Sequence, residues 1–293
     1  MTRSHPTLPF LAAAAGICTF SMMDATMKGA AIAAGVYSAL LLRCACGTVL
    51  MLPVWLLANW RRPTMAAIKV HWLRSSVVTG MALLFFWGLV RVPLAEAIAL
   101  SFIAPLIALY LAALLLEETI QTRAIIASLL GLAGVAVMAG ARLGEGTFDA
   151  RSGWGIAAVL GSAVLYAWNL ILQRQQAQIA SPPEIAFFQN LCVALILSVA
   201  SPWLLVWPEA AALRDIALAA ALAGISLLLL SWAYARAEAQ ALVPVEYSGF
   251  IWAALFGWIK FGEEVTWATL AGVVLIVAGS WITARKPSAM ATF

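Results

Sequence analysis

The chain has 293 residues, 64% of them apolar and only 10% charged, with a mean hydropathy of +0.98. A soluble domain carries about 25% charged residues, so there is too little polar surface here for a nucleic-acid binder, a soluble enzyme or a disordered regulator. The net charge of +4 reads instead as the cytoplasmic bias of Lys and Arg in a membrane protein.

Ten apolar segments follow in chain order, at 8–28, 35–57, 73–90, 95–116 and 124–141, then 154–172, 184–207, 213–235, 241–259 and 267–284. A spanning helix needs roughly 20 apolar residues, so ten of them leave too little chain for any extramembrane domain. Helices are required, because an open sheet edge cannot satisfy its backbone in lipid. The first segment follows Arg3 as a signal peptide would. It is interrupted by Asp24 and Lys28, however, and the next span follows at once, which marks a retained helix.

Basic residues set the orientation. With a cytoplasmic N-terminus, the inner side carries Arg3, Arg61, Arg62, Lys69, Arg74, Arg123, Arg174, Arg236, Arg285 and Lys286. The outer side carries Lys28, Arg91, Arg142, Arg151, Arg214 and Lys260. This asymmetry places both termini in the cytoplasm.

The two halves repeat. A shift of 145 lays Trp87 on Trp232, Arg91 on Arg236, Gly16 on Gly161, Asp24 on Asn169 and Lys28 on Gln173. A shift of 146 lays Glu117–Glu118 on Glu263–Glu264 and Arg43 on Gln189. The expected domains are 1–145 and 146–293, with five helices each. An odd number forces the second copy to enter the bilayer from the opposite side, and inverted repeats are characteristic of secondary transporters. The fold class expected is therefore an all-α membrane protein of ten transmembrane helices in two inverted five-helix repeats.

Ionisable residues inside spans are costly and are candidates for function. Asp24 and Arg43 fall within one or two turns of each other in depth, which suggests an ion pair facing the interior, serving either transport or helix register. Their repeat mates, Asn169 and Gln189, are neutral; Asn169 can bind a zwitterion or bridge helices. Glu246 fits a cytoplasmic rim near Arg74 or Arg236. Trp55, Trp60, Trp72, Trp154, Trp203, Trp207, Trp267 and Trp281 lie near span ends as an interfacial belt. Trp87, Trp168, Trp232 and Trp252 fit pocket walls or core packing. Pro105 and Pro244 break the fourth and ninth helices at related places.

Catalytic motifs are missing. There is no G-x-x-x-x-G-K-[ST] loop and no H-E-x-x-H, and the expected spans exclude both histidines, His5 and His71. Of the three aspartates only Asp24 lies in a span, where an intramembrane aspartyl protease needs two. Cys18, Cys44, Cys46 and Cys192 have no metal-binding spacing and read as packing residues. The chain is expected to be no enzyme, with no cofactor and no metal.

These residues resemble the drug/metabolite transporter superfamily in its ten-helix EamA-type branch, over nearly the whole chain as two EamA repeats. The resemblance rests on Asp24-Ala-Thr-Met-Lys28, on Arg43, and on Ala97 through Pro105 to Glu117–Glu118. It rests also on Pro244-Val-Glu-Tyr247 through Trp252 to Gly262-Glu263-Glu264, and on Gly131, Gly134, Gly272 and Gly279. It implies a bacterial inner-membrane carrier exporting amino acids, other metabolites or drugs. Helices one to four and six to nine would line a central cavity, with five and ten outside.

The expected function is export of amino acids or similar small metabolites by alternating access, with Asp24, Arg43, Trp168, Asn169 and Trp252 as substrate contacts. Uptake of a cofactor-like molecule such as S-adenosylmethionine or riboflavin is the alternative within transport. A non-catalytic membrane subunit is the alternative outside it. The expected partners are a small-molecule substrate and the lipid bilayer, with no nucleic acid; glycines on the fifth and tenth helices leave a homodimer open.

Overall fold

The computed structural model describes residues 8–58, 63–104, 106–108, 110–111, 122–144, 150–234, 236, 245 and 247–284. Among them there are helices and no strands. The long helices are α1 (Leu8–Ala34), α2 (Val36–Leu57), α3 (Met65–Leu89), α4 (Leu94–Ser101), α5 (Thr122–Gly144), α6 (Ala150–Ala177), α7 (Pro182–Ser198), α8 (Ala210–Tyr234), α9 (Ser248–Phe261) and α10 (Trp267–Ala284), with a single turn at Ser201–Leu204 after α7. Five of them (α1, α2, α3, α6 and α8) are long and apolar enough to cross a membrane unaided, and α4, α7, α9 and α10 are shorter apolar helices. At 14 residues, α9 rises about 21 Å against a hydrocarbon core of roughly 30 Å.

Among the described residues the helices follow the expected spans in order, and local chemistry moves their ends. The third was expected from residue 73, yet α3 starts at Met65 because Thr64 caps it, its hydroxyl accepting the Ala67 N–H at 3.2 Å. His71 therefore lies inside a spanning helix and is fully buried, which corrects its expected place outside the spans. The seventh was expected to reach residue 207, but α7 ends at Ser198. The first overruns its expected end by six residues, to Ala34. There Gly35 turns the chain into α2 with φ of +80°, a conformation that suits glycine. Pro105, Glu117–Glu118, Pro244 and Glu246, like the expected domain boundary at 145/146, lie outside the described residues.

The packing has two-fold character. Exchanging α1 with α6, α2 with α7, α3 with α8, α4 with α9 and α5 with α10 maps the most extensively packed pairs onto one another. Thus α1–α8 becomes α3–α6, α1–α9 becomes α4–α6, and α2–α8 becomes α3–α7, while α2–α7, α4–α9 and α5–α10 map onto themselves. The match extends to side chains. On α1, a Cβ at Gly16 would stand 3.3 Å from Leu229 on α8; on α6, one at Gly161 would stand 3.6 Å from Leu84 on α3. Those four residues are related by the 145 shift. Ser226 donates to the Gly16 carbonyl at 2.8 Å, and Ser162 donates to the Met81 carbonyl at 2.9 Å. In lipid, where apolar burial gives helices no reason to prefer each other, small residues and such hydrogen bonds hold the crossings.

The α5–α10 crossing is the tightest of these. A Cβ at Gly134 would lie 2.6 Å from the Gly272 carbonyl oxygen, and one at Gly272 would lie 2.7 Å from that of Gly134. A Cβ at Gly131 would meet Leu106 at 2.6 Å. These three glycines serve packing within the chain.

Candidate functional site

Asp24 sits on α1, ten residues before its end, buried in the bundle with its Oδ2 unpartnered. Arg43 on α2 acts on it electrostatically, yet no ion pair within 4 Å joins them. The Arg43 Nε is also buried without a partner, and its Nη2 reaches only the Cys44 sulfur at 3.5 Å. The expected closed pair is therefore open: two opposite charges lie near each other and leave polar atoms unsatisfied. One turn beyond Arg43, Gly47 lets α7 approach; a Cβ there would lie 2.4 Å from the Asn190 side-chain oxygen.

Asn169, the repeat mate of Asp24, bridges helices. Its Oδ1 accepts from the Arg74 Nε of α3 at 2.8 Å. Arg74 also donates to Gln176 and, at 3.4 Å, to Gln173. Gln176 in turn meets the His71 Nδ1, and the His71 Nε2 meets Glu184 of α7 at 3.2 Å. The His71 ring stacks on Phe188 at 4.8 Å, and Phe188 lies edge-on to Trp55. A buried guanidinium with three amide acceptors thus ties α3 to α6, and His71 carries the network on to α7. Sequence reasoning missed it. Its signal is the amide stripe Asn169, Gln173, Gln176 at i, i+4, i+7, facing His71 and Arg74 at i, i+3.

One turn beyond Asp24 on α1, Lys28 is buried and forms an ion pair with Glu263. It also donates to the Val92 carbonyl at 2.7 Å and stands 5.2 Å from the Phe261 ring centre. The other Glu263 oxygen accepts the Leu94 N–H at 2.7 Å, at the start of α4. Sequence explains how Glu263 gets there. Gly262 ends α9 in the left-handed region at φ +65°, its N–H bonded to the Trp258 carbonyl at 2.9 Å. Gly257 leaves room for the carboxylate, since a Cβ would stand 2.8 Å from Glu263 Oε2. The helix-end glutamate of the second repeat is thus a latch joining α1, α4 and α9.

The two aromatic candidates differ. Trp168 is exposed on α6. Trp252 is half-buried on α9 and stacks on Phe256 with centres 6.4 Å apart. A cavity of about 780 Å³ opens among the ends of α1 and α3 and the starts of α2 and α6, and none of the five expected contacts lines it. Among the described residues no group of His, Cys, Asp or Glu side chains is arranged to hold a metal.

The EamA-like transporter family matches residues 7–140 and 153–285, one repeat in each half. The pseudopaline exporter CntI of Pseudomonas aeruginosa is 31% identical over 267 residues, covering 88% of this chain and 89% of its own. An uncharacterized transporter of Helicobacter pylori is 28% identical over 213 residues, 71% of each chain. One solved crystal structure superposes with a TM-score of 0.65 at 21% identity, covering 94% of this chain and 96% of its own, a likeness of fold. With two family repeats, paired helices to match and apolar spans throughout, the chain belongs to the EamA-like transporter family and is a membrane transporter.

Proposed function

We propose that the chain exports a small zwitterionic metabolite, an amino acid or an amino-acid derivative, across the bacterial inner membrane by alternating access between its halves. Both termini lie in the cytoplasm in this reading, and the halves divide as 1–145 and 146–293. The observation that carries it is the open Asp24–Arg43 pair. Unsatisfied buried charge is expensive, and intramembrane ionisable groups mark substrate paths. A zwitterion answers both groups, its ammonium against the Asp24 carboxylate and its own carboxylate against the Arg43 guanidinium. Trp168 and Trp252 supply flat apolar surface for the rest of the molecule. Asn169, engaged by Arg74, positions rather than binds. The name of the Pseudomonas relative, an exporter, favours outward transport.

Proteoliposomes of the purified chain, loaded with labelled amino acids, test this. Flux is expected for at least one zwitterion and is expected to fall about tenfold or more in Asp24→Asn and in Arg43→Gln, each still monodisperse. Flux of a nucleoside or flavin with none for any amino acid would overturn the choice in favour of the cofactor carrier. Absence of flux for every solute would favour the subunit.

A further inference from the structure

The 145 shift gives both halves the same clasp. Arg91 stacks 3.4 Å over the Trp87 ring and donates to the Trp87 carbonyl at 2.5 Å; Arg236 stacks 4.2 Å over Trp232 and donates to its carbonyl at 3.2 Å. The surroundings differ. Beside Arg91 the start of α6 supplies Arg151, Trp154 and Gly155, where the 145 shift gives Pro6, Pro9 and Phe10 in the sequence of the first half. Gly155 lets α6 close on the clasp, since a Cβ there would stand 2.8 Å from the Arg91 Cβ. Arg151, one turn earlier, is exposed, as is Trp154.

Two arginines therefore share one end of the molecule. Burial, and then the nearby Arg151 charge, push the Arg91 guanidinium below its ordinary range. Neighbouring cations have answers: Lys28 pairs with Glu263, and Lys260 lies 3.5 Å from Asp215. Arg91 and Arg151 have no carboxylate among the described residues. With one face of Arg91 on the Trp87 ring and one N–H on a carbonyl, its other N–H donors stay available to a planar or tetrahedral anion.

The cavity of about 780 Å³ lies at this place, lined by Arg91, Trp87 and Trp154 and by the aliphatic Leu83, Leu84 and Ala158. One cationic side chain among otherwise aromatic and aliphatic lining residues fits a molecule with an anionic head and a hydrocarbon tail. Tryptophans at helix ends set the depth at the headgroup level. We propose that Arg91 and Arg151 bind the phosphate of an anionic phospholipid, with part of one acyl chain lying in the cavity. Because the repeat mate lacks the second arginine, the glycine and the tryptophan, the site exists at one end of the pseudo-symmetric bundle only.

Native mass spectrometry of the full chain in detergent, with phosphatidylglycerol and phosphatidylethanolamine of matched chains, tests the assignment. Phosphatidylglycerol is expected to be retained in preference. Arg91→Gln and Arg151→Gln are each expected to weaken its retention about fivefold, near the effect of one basic residue at a lipid surface. Arg91→Lys should keep most of it, and Lys69→Gln, on exposed surface away from the cavity, should leave it unchanged. Arg151 is exposed at the start of a helix, so its variant reports on binding even if Arg91→Gln fails to fold. Undiminished phosphatidylglycerol retention in Arg151→Gln would overturn the proposal. So would equal weakening of phosphatidylethanolamine, or soluble glycerol phosphate competing at the lipid's own concentration, which would mark a site for a free anion.

Discussion

Removing Glu263 should cost this protein more than removing any exposed charge. Its partner Lys28 is buried, with a side chain only 5% exposed against 17% for Glu263. Breaking a buried pair from one side costs about 3–5 kcal/mol, because the remaining charge is stranded. Two features lower that figure here. Lys28 keeps the Val92 carbonyl at 2.7 Å and the Phe261 ring, and the partly exposed carboxylate site can admit water. Glu263→Gln is therefore expected to destabilise by about 2 kcal/mol, since its amide oxygen can still accept one hydrogen bond. Glu263→Ala also leaves the Leu94 N–H without its acceptor, adding about 1 kcal/mol. Unfolding by titrated sodium dodecyl sulfate, followed by tryptophan fluorescence, measures both. Lys28→Met combined with Glu263→Gln should be less damaging than the sum of the single variants, by about 1 kcal/mol or more. Strict additivity would refute the claim that these residues act as one latch.

Three further outcomes follow from the packing and the polar networks. Gly134→Leu drives a side chain into the Gly272 backbone and should destabilise by about 1–3 kcal/mol, read by the same unfolding titration; Gly140→Ala, with open space around its Cβ position, should not. Arg74→Gln leaves the Asn169 and Gln176 oxygens without their donor and should lower stability by about 3 kcal/mol. Arg74→Lys should recover only part of this, because an ammonium cannot reproduce the guanidinium fork. Gly262→Ala forces a Cβ into the left-handed region and should cost about 1 kcal/mol, which a shifted unfolding midpoint would reveal.

How far the sequence was legible depended on whether an interaction repeats. The pairs Trp87–Arg91 and Trp232–Arg236 could be found by sliding the chain along itself, and both form the same clasp. The helices could be found because lipid demands long apolar runs. Their ends were less legible: Thr64 caps α3 through a single hydroxyl, which no hydropathy window detects, so His71 was placed outside the membrane. The ionic partners were misread for a different reason. Proximity in depth suggested Asp24 with Arg43, but depth does not fix the direction in which a side chain points. The pair that forms joins Lys28 to Glu263, 235 residues away, and only the Gly257 and Gly262 turn brings them together. Gly134 of α5 and Gly272 of α10 could be singled out from the sequence, but only the packing shows that each faces the other's backbone.

The measurement that tests the central claim most directly is the sidedness of the two clasps. In a background where Cys18, Cys44, Cys46 and Cys192 are replaced, Arg91→Cys and Arg236→Cys are labelled in intact spheroplasts with a membrane-impermeant thiol reagent. An inverted pair of repeats requires position 91 to react from the outside and position 236 to react only after permeabilisation. Reaction of both from the same side would contradict two oppositely threaded halves, and with them transport by alternating access.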